Sequence, residues 1–105
     1  MKTTYAITDL SIQFTDELAT AKRELVNAED ALDVAYAKYV EAESNANIPE
    51  EDFNAACDLY ESASDKKSWI EAKRDSLVII NDLLKQLEEE IGNLEYAERE
   101  LVSRH

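Results

Sequence analysis

The sequence predicts an all-α protein, a long antiparallel helical hairpin or coiled coil that forms a single helical domain over residues 1–105. Three observations predict this class. The chain has one Gly and one Pro, so it lacks the turn residues that a sheet protein needs. Apolar residues recur every seven positions over most of the chain, which is the coiled-coil period. Finally, 105 residues can bury one modest core but not a core around a large enclosed cavity.

The first helix is predicted from about residue 11 to residue 45. Its seam combines a series of large residues with an offset series made mostly of alanine. Small residues between large ones let a partner helix approach closely, as in a two-helix hairpin. Other apolar residues fall off the seam and indicate a third helix or an outside partner. The two series are Leu18, Leu25, Leu32 and Tyr39, and Phe14, Ala21, Ala28, Ala35 and Ala42; the off-seam residues are Val26, Val34, Tyr36 and Val40.

A turn is predicted at residues 46–49, because Asn and Ser favour helix caps and Pro49 suits the first turn of a new helix. The second helix then runs from about residue 49 to residue 103. A break near residues 62–68 stays open as an alternative that gives three helices, since Ser68-Trp69-Ile70-Glu71 has the pattern of a capping box. The seam of this helix is formed by Ala56, Ala63, Ile70, Leu77, Leu84 and Ile91, flanked by Phe53, Tyr60, Ile80, Leu87, Leu94 and Leu101.

The two predicted helices differ in length, at about 50 Å and about 80 Å for a rise of 1.5 Å per residue. A first helix that starts near residue 11 therefore leaves part of the second helix without a partner in the same chain. A bare leucine seam of that length would aggregate unless something covers it. We therefore predict self-association, most simply as a homodimer, with binding to a helix of another protein as the alternative. The predicted oligomerisation residues, within 77–101, are Leu77, Ile80, Leu84, Leu87, Ile91, Leu94 and Leu101.

Catalytic chemistry is poorly supported by the sequence. The one histidine, His105, is the last residue, so no Ser-His-Asp or Cys-His arrangement is convincing. No Glu-x-x-His pair of the carboxylate-bridged metal bundles occurs. A carboxylate-metal enzyme could use the run Glu88-Glu89-Glu90, but adjacent helix positions point in different directions, which favours a solvated face. We expect no enzymatic activity, no catalytic residues, no cofactor and no metal site.

Negative charge is concentrated in one stretch, residues 24–61. Eleven acids and a single base, Lys38, give this stretch a net charge of −10 out of −13 for the chain. Along the helix this is about one charge per 3.3 Å, close to the ~3.4 Å between phosphates on one strand of B-DNA. Such a field attracts basic surfaces and repels nucleic acid and anionic membranes. The competing explanation is that the acids only keep a helix face solvated.

We predict a non-catalytic binding protein whose acidic hairpin end occupies the basic, nucleic-acid-binding surface of a partner protein, without binding nucleic acid itself. In size and charge the chain resembles the small acidic DNA-mimic inhibitors that viruses use against host nucleases and defence complexes, a likeness of class that no motif carries. The alternative is a homo-oligomeric coiled-coil scaffold or adaptor acting through residues 77–101. The predicted partner-binding residues are Glu29, Asp30, Asp33, Glu41, Glu43, Glu50, Glu51 and Asp52.

The sequence also predicts where the protein works. The longest aliphatic run, Leu77-Val78-Ile79-Ile80, is far short of the ~20 residues that span a bilayer. The lone Cys57 excludes an intramolecular disulfide and fits a reducing compartment. The first residues lack the apolar stretch of a secretory signal. We therefore expect no membrane association and a location in the cytoplasm of a bacterium or of a virus-infected cell.

Overall fold

A computed structural model describes residues 2–103 of the chain, with side chains described from residue 6. Helix α1 spans Lys2–Ser44 and helix α2 spans Glu50–Ser103. The structure is 95% helical, and residues 2–103 contain no strand. The predicted all-α helical hairpin is therefore confirmed. Neither helix contains, within the described part, a stretch long and apolar enough to cross a membrane.

Helix α1 begins at Lys2, so the predicted start near residue 11 is wrong. The added turns are held by Ile7, which is buried and continues the seven-residue series through Phe14 and Ala21. Ile7 shares a small groove with Ile91 and Gly92 of helix α2. The helix is longer than predicted because this apolar contact outweighs the modest helix propensity of the Thr residues near the start.

Helix α2 is continuous through residues 62–68, so the three-helix alternative is not adopted. Ala63 is half-buried and Ile70 is buried, and both lie on the same side of the helix at seven-residue spacing. Glu71, which would close the predicted capping box, instead forms an ion pair with Lys67 one turn earlier, at 3.6 Å between Oε1 and Nζ. The packed face and this i,i+4 pair both favour an unbroken helix.

The turn between the helices is short, and several of its backbone N–H groups are hydrogen-bonded within it. The backbone N–H of Asn45 donates to the carbonyl of Ala42, and that of Ile48 donates to the carbonyl of Asn45. Pro49 O then accepts from the amides of Asp52 and Phe53 at 3.0 and 3.1 Å, which starts helix α2. Acidic residues occupy the first turn of α2, where the helix dipole favours negative charge; they are Glu50, Glu51 and Asp52.

The chain contains two compact units, of which the first comprises residues 1–19 and 75–105. In its described part, the side chain of Asn81 joins the helices: its Nδ2 donates to Phe14 O at 3.2 Å and to Leu77 O at 2.8 Å. Thr15 Oγ1 also donates to Asn81 Oδ1 at 3.2 Å. Ser11, one turn before Thr15 in α1, donates from its Oγ to a carboxylate oxygen of Glu88, two turns after Asn81 in α2, at 2.6 Å. These polar contacts fix the axial register of the first unit.

The second unit comprises residues 20–74 and contains the turn. Leu25, Ala28 and Ile70 form its buried cluster, and Ile70 is the largest side chain that is fully buried. The prediction that the alanine series of α1 packs against α2 is confirmed here, because the alanines of this unit at those positions are buried. They are Ala21, Ala28, Ala35 and Ala42.

Candidate functional site: an acidic hairpin end

The acidic hairpin end, residues 24–61, presents its carboxylates to solvent. The predicted partner-binding residues lie along the second half of α1 and in the first turn of α2, and all eight side chains are exposed. These residues therefore lie on one continuous helix–turn–helix segment. They are Glu29, Asp30, Asp33, Glu41, Glu43, Glu50, Glu51 and Asp52.

These eight carboxylates are not neutralised within the described chain. No Lys or Arg of residues 6–103 forms an ion pair with any of them. Glu24, at the start of the segment, differs because it is half-buried and lies 4.0 Å from Lys73 Nζ. Because these carboxylates have no ion-pair partner in the described chain, the segment carries a negative field that nearby bases do not compensate.

An aromatic cluster holds the two helices together beneath the acids. The ring of Tyr39 lies 6.2 Å from that of Phe53 and 5.5 Å from that of Tyr60, between centroids. Tyr36 contacts Tyr60 at 5.6 Å. Tyr39, Phe53 and Tyr60 are half-buried, whereas Tyr36 is exposed. Three rings therefore serve packing, and Tyr36 is available to a partner.

Tyr39 is also electrostatically coupled to the acidic surface. The carboxylate of Glu43 raises the pKa of Tyr39 above its ordinary value of 10.0, because a nearby negative charge disfavours the phenolate. Burial of the ring raises the pKa further, followed by smaller contributions from Cys57 and the two neighbouring tyrosines. The phenol is therefore a neutral hydroxyl at neutral pH, which can donate a hydrogen bond but is no nucleophile.

Apolar side chains are interspersed with the acids on the solvent side. Val26, Val34 and Val40 of α1 are exposed, and so is Leu59 of α2. The three valines are the off-seam flank predicted from the sequence, and no third helix covers them among the described residues. Leu59 was missed because it lies outside the heptad seam. These side chains give the acidic surface non-polar area that is available to a partner.

A groove on the second unit was not predicted from the sequence. It has a volume of about 420 Å³, its floor is formed by Ala28 and Ile70, and Trp69 forms one wall. Trp69 is exposed, and Lys73 Nζ lies 5.6 Å from the centre of its ring, within the range of a cation–π contact. Counting back from Leu83 in steps of seven residues gives Ser76 and then Trp69. Because the polar Ser76 interrupts this series, the heptad pattern alone does not distinguish Trp69.

The predicted oligomerisation residues divide into two groups. Leu77 is buried, and Ile80, Leu84 and Ile91 are half-buried. Leu87, Leu94 and Leu101 are exposed, and so is Leu83, which lies outside the predicted set. The longer α1 explains the first group, because Ile7 reaches the level of Ile91 and Gly92.

The side chains of the run Glu88-Glu89-Glu90 have different surroundings in the structure. Glu88 is half-buried and accepts the hydrogen bond from Ser11, while Glu89 and Glu90 are exposed. Among the residues with described side chains, no group of three or more His, Cys, Asp or Glu is placed to hold a metal ion.

Comparison with known proteins gives no match to a family model, a curated protein or a solved structure.

Proposed function

We propose that this protein is a non-catalytic binding protein whose acidic hairpin end occupies the basic, nucleic-acid-binding surface of a partner protein. The observation that carries the proposal is the exposure of eight carboxylates with no ion-pair partner in the described chain. A carboxylate that is already paired would have to exchange one cation for another. An unpaired one gains its first strong partner on binding.

The surroundings of the carboxylates support binding to a protein. Exposed Val34 and Val40, together with Tyr36, lie between the acids and supply apolar contact area that a purely solvating surface does not need. The aromatic cluster packs α1 against α2. The helices that carry the charged surface are therefore already ordered before binding, so less conformational entropy is lost when a partner binds. We place the encounter in the cytoplasm of a bacterium or of an infected cell, where basic nucleic-acid-binding proteins are abundant targets.

The test compares two variants that lose the same charge. The first changes Glu41, Glu43, Glu50 and Glu51 to Gln. The control removes four exposed acids of the first unit by the substitutions Asp9→Asn, Asp16→Asn, Asp82→Asn and Glu89→Gln. Both variants have the same net charge, so a general effect of charge on solubility or steering is matched.

The readout is the displacement of a labelled DNA duplex from a DNA-binding protein that the immobilised wild type captures from a bacterial lysate. The first variant should require about 10- to 1,000-fold more protein to displace the duplex, with a flatter salt dependence, and the control should behave like the wild type. Equal displacement by both variants, with circular dichroism confirming helical structure, would refute the proposal.

A second candidate function is a homo-oligomeric coiled-coil scaffold or adaptor acting through residues 77–101. The exposed leucines of α2 in the first unit favour it. Salt separates the two candidates, because a charge-mediated contact weakens as salt is added whereas an apolar seam is not weakened and is strengthened by sulfate.

A further inference from the structure

One side of α1 in the second unit carries an exposed stripe that mixes apolar and acidic side chains. Its positions are separated by three, four, three, four and three residues, which is the spacing of a coiled-coil seam. The side chains at all of these positions are exposed. We call this the mixed stripe, and it consists of Val26, Glu29, Asp33, Tyr36, Val40 and Glu43.

The mixed stripe is distinct from the side of α1 that packs against α2. Each of its positions comes one residue after a member of the packed series that runs from Leu25 to Ala42, which turns it by about 100° around the helix axis. The members of the packed series are buried or half-buried, in contrast to those of the stripe. Within residues 2–103 there is no third helix to cover this second face.

The apolar members distinguish the mixed stripe from a solvated acidic surface. Val26 and Tyr36 are 56% and 53% exposed, and Val40 is 39% exposed. The ring of Tyr36 also contacts that of Tyr60 in α2 at 5.6 Å between centroids, which restricts its motion before a partner binds. Tyrosine is enriched among the residues that contribute most of the binding energy in protein interfaces.

The acidic members determine the charge of the partner. Glu29, Asp33 and Glu43 are the only charged members of the stripe, and they form no ion pair with a described Lys or Arg. Their field attracts a basic surface and repels nucleic acid, anionic membranes and a second copy of this chain, whose net charge is −13. At the preceding position of the series Lys22 reverses the charge, so the acidic character ends there.

The spacing of the mixed stripe indicates the shape of the partner. Its positions recur about every 5.2 Å along the helix axis, over a length of about 25 Å. A second α-helix with the same seven-residue repeat stays in register with the stripe over this whole length. Side chains on one face of a β-strand recur only about every 6.7 Å, so a strand would lose the register within a few positions.

We propose that the mixed stripe binds a basic amphipathic α-helix of the partner protein. Lys or Arg side chains of that helix lie against the three carboxylates, and its apolar side chains pack on Val26, Tyr36 and Val40. Arg is favoured because its guanidinium can form two parallel hydrogen bonds with one carboxylate. This inference rests on the proposed function and deepens it, because it names the element of the basic surface that the acidic hairpin end binds.

Synthetic helical peptides are the probes for this proposal. The first has a heptad seam in the order Leu, Arg, Arg, Leu, Leu, Arg, which matches the mixed stripe in a parallel arrangement, and the second has the reverse order for an antiparallel one. A third peptide has the same composition but distributes its Leu and Arg residues around the helix, so its net charge is equal. Fluorescence anisotropy of the labelled peptides measures their affinity.

One of the two patterned peptides should bind the wild type about 10-fold or more tightly than the third peptide. The double variant Val26→Gln, Val40→Gln should lose most of this preference. The control Val34→Gln, Leu59→Gln removes two similarly exposed apolar side chains of the same unit that lie off the mixed stripe, and it should retain the preference. None of these substitutions changes the charge, and all four side chains are exposed, so the hairpin should form in both variants.

Equal affinity of the wild type for the three peptides, or binding of none, would overturn the inference. An unchanged preference in the stripe variant, or equal losses in both double variants, would overturn it as well. A dimer in sedimentation velocity that only the stripe variant loses would assign the stripe to a second copy instead. Both double variants keep every acid, so these outcomes are separate from a failure of the proposed function, which would appear in DNA displacement by the Glu→Gln variant.

Discussion

Replacement of Ile70 by Ala should remove a large part of the stability of this protein. Ile70 is 1% exposed and packs in the cluster with Leu25 and Ala28. The substitution deletes three buried carbon atoms, which costs about 2.4 kcal/mol at about 0.8 kcal/mol per methylene group. A cavity term adds to this loss, and the higher helix propensity of Ala offsets a few tenths of a kcal/mol, so we expect about 3 kcal/mol.

That loss is a large share of the total free energy of unfolding because the core buries little apolar area. Half of the buried apolar residues among those described are alanines, which contribute little area each. A chain of this size typically has a free energy of unfolding of about 5–15 kcal/mol, and a core of this kind places it near the lower end. Chemical denaturation followed by far-UV circular dichroism measures the change. The control is Val34→Ala, which truncates an exposed side chain of the same unit and should be neutral or slightly stabilising.

The reasoning would be refuted if Ile70→Ala were within about 0.5 kcal/mol of the wild type, the range of ordinary surface substitutions. The two variants should also be compared at several protein concentrations, since association of the folded chain would raise the apparent stability of both.

Three further substitutions follow from the packing of the helices. Ala28→Leu should lower the free energy of unfolding by about 1–3 kcal/mol, because Ala28 is buried in a close helix contact; an unchanged denaturation midpoint would contradict that contact. Gly92→Ala should raise it by about 0.8–1 kcal/mol, since an added Cβ meets no atom within 4 Å in this chain; a loss of stability would instead indicate close packing by another molecule. Stability should fall as pH rises through about 10, because the unfolded chain releases the Tyr39 proton first, and thermal melts of Tyr39→Phe should show a smaller fall.

The heptad pattern was sufficient to predict the helical hairpin and the buried alanines, and the Asn, Ser and Pro49 residues predicted the turn. The predicted helix boundaries were less accurate, because at these positions the local helix propensity and the packing favour different boundaries. Residues near Ser11 resemble a helix start when they are considered alone, but Ile7 extends the series of Phe14 and Ala21 by one further repeat. That repeat was the available evidence for a longer α1. Ser68 likewise resembles a cap until the packing of Ile70 is known.

Exposure of the acids was also predictable from the sequence, because a stretch with eleven acids and the single base Lys38 cannot pair them internally. The exposed position of Leu83 was not predictable. Its exposure depends on how much of α2 the side chains of α1 cover, which the seven-residue spacing alone does not give. The groove beside Trp69 depends in the same way on the small side chain of Ala28 in the facing helix.

The side chain of Asn81 has a consequence for how the hairpin selects one alignment. A seven-residue repeat is degenerate: sliding one helix by about 10.5 Å returns apolar residues to the same side, so the leucine pattern alone does not choose between alignments. Asn81 limits the degeneracy in the first unit, because its amide donates to Phe14 O and accepts from Thr15. A slip that brings Ala21 and Lys22 to Asn81 leaves the hydrogen bond from Thr15 unmade, because lysine has no hydroxyl, whereas the opposite slip brings Ile7 and the hydroxyl of Thr8 to the same place. Replacing Asn81 by Leu would therefore remove the polar discrimination against the first slip, even where the total apolar burial increased.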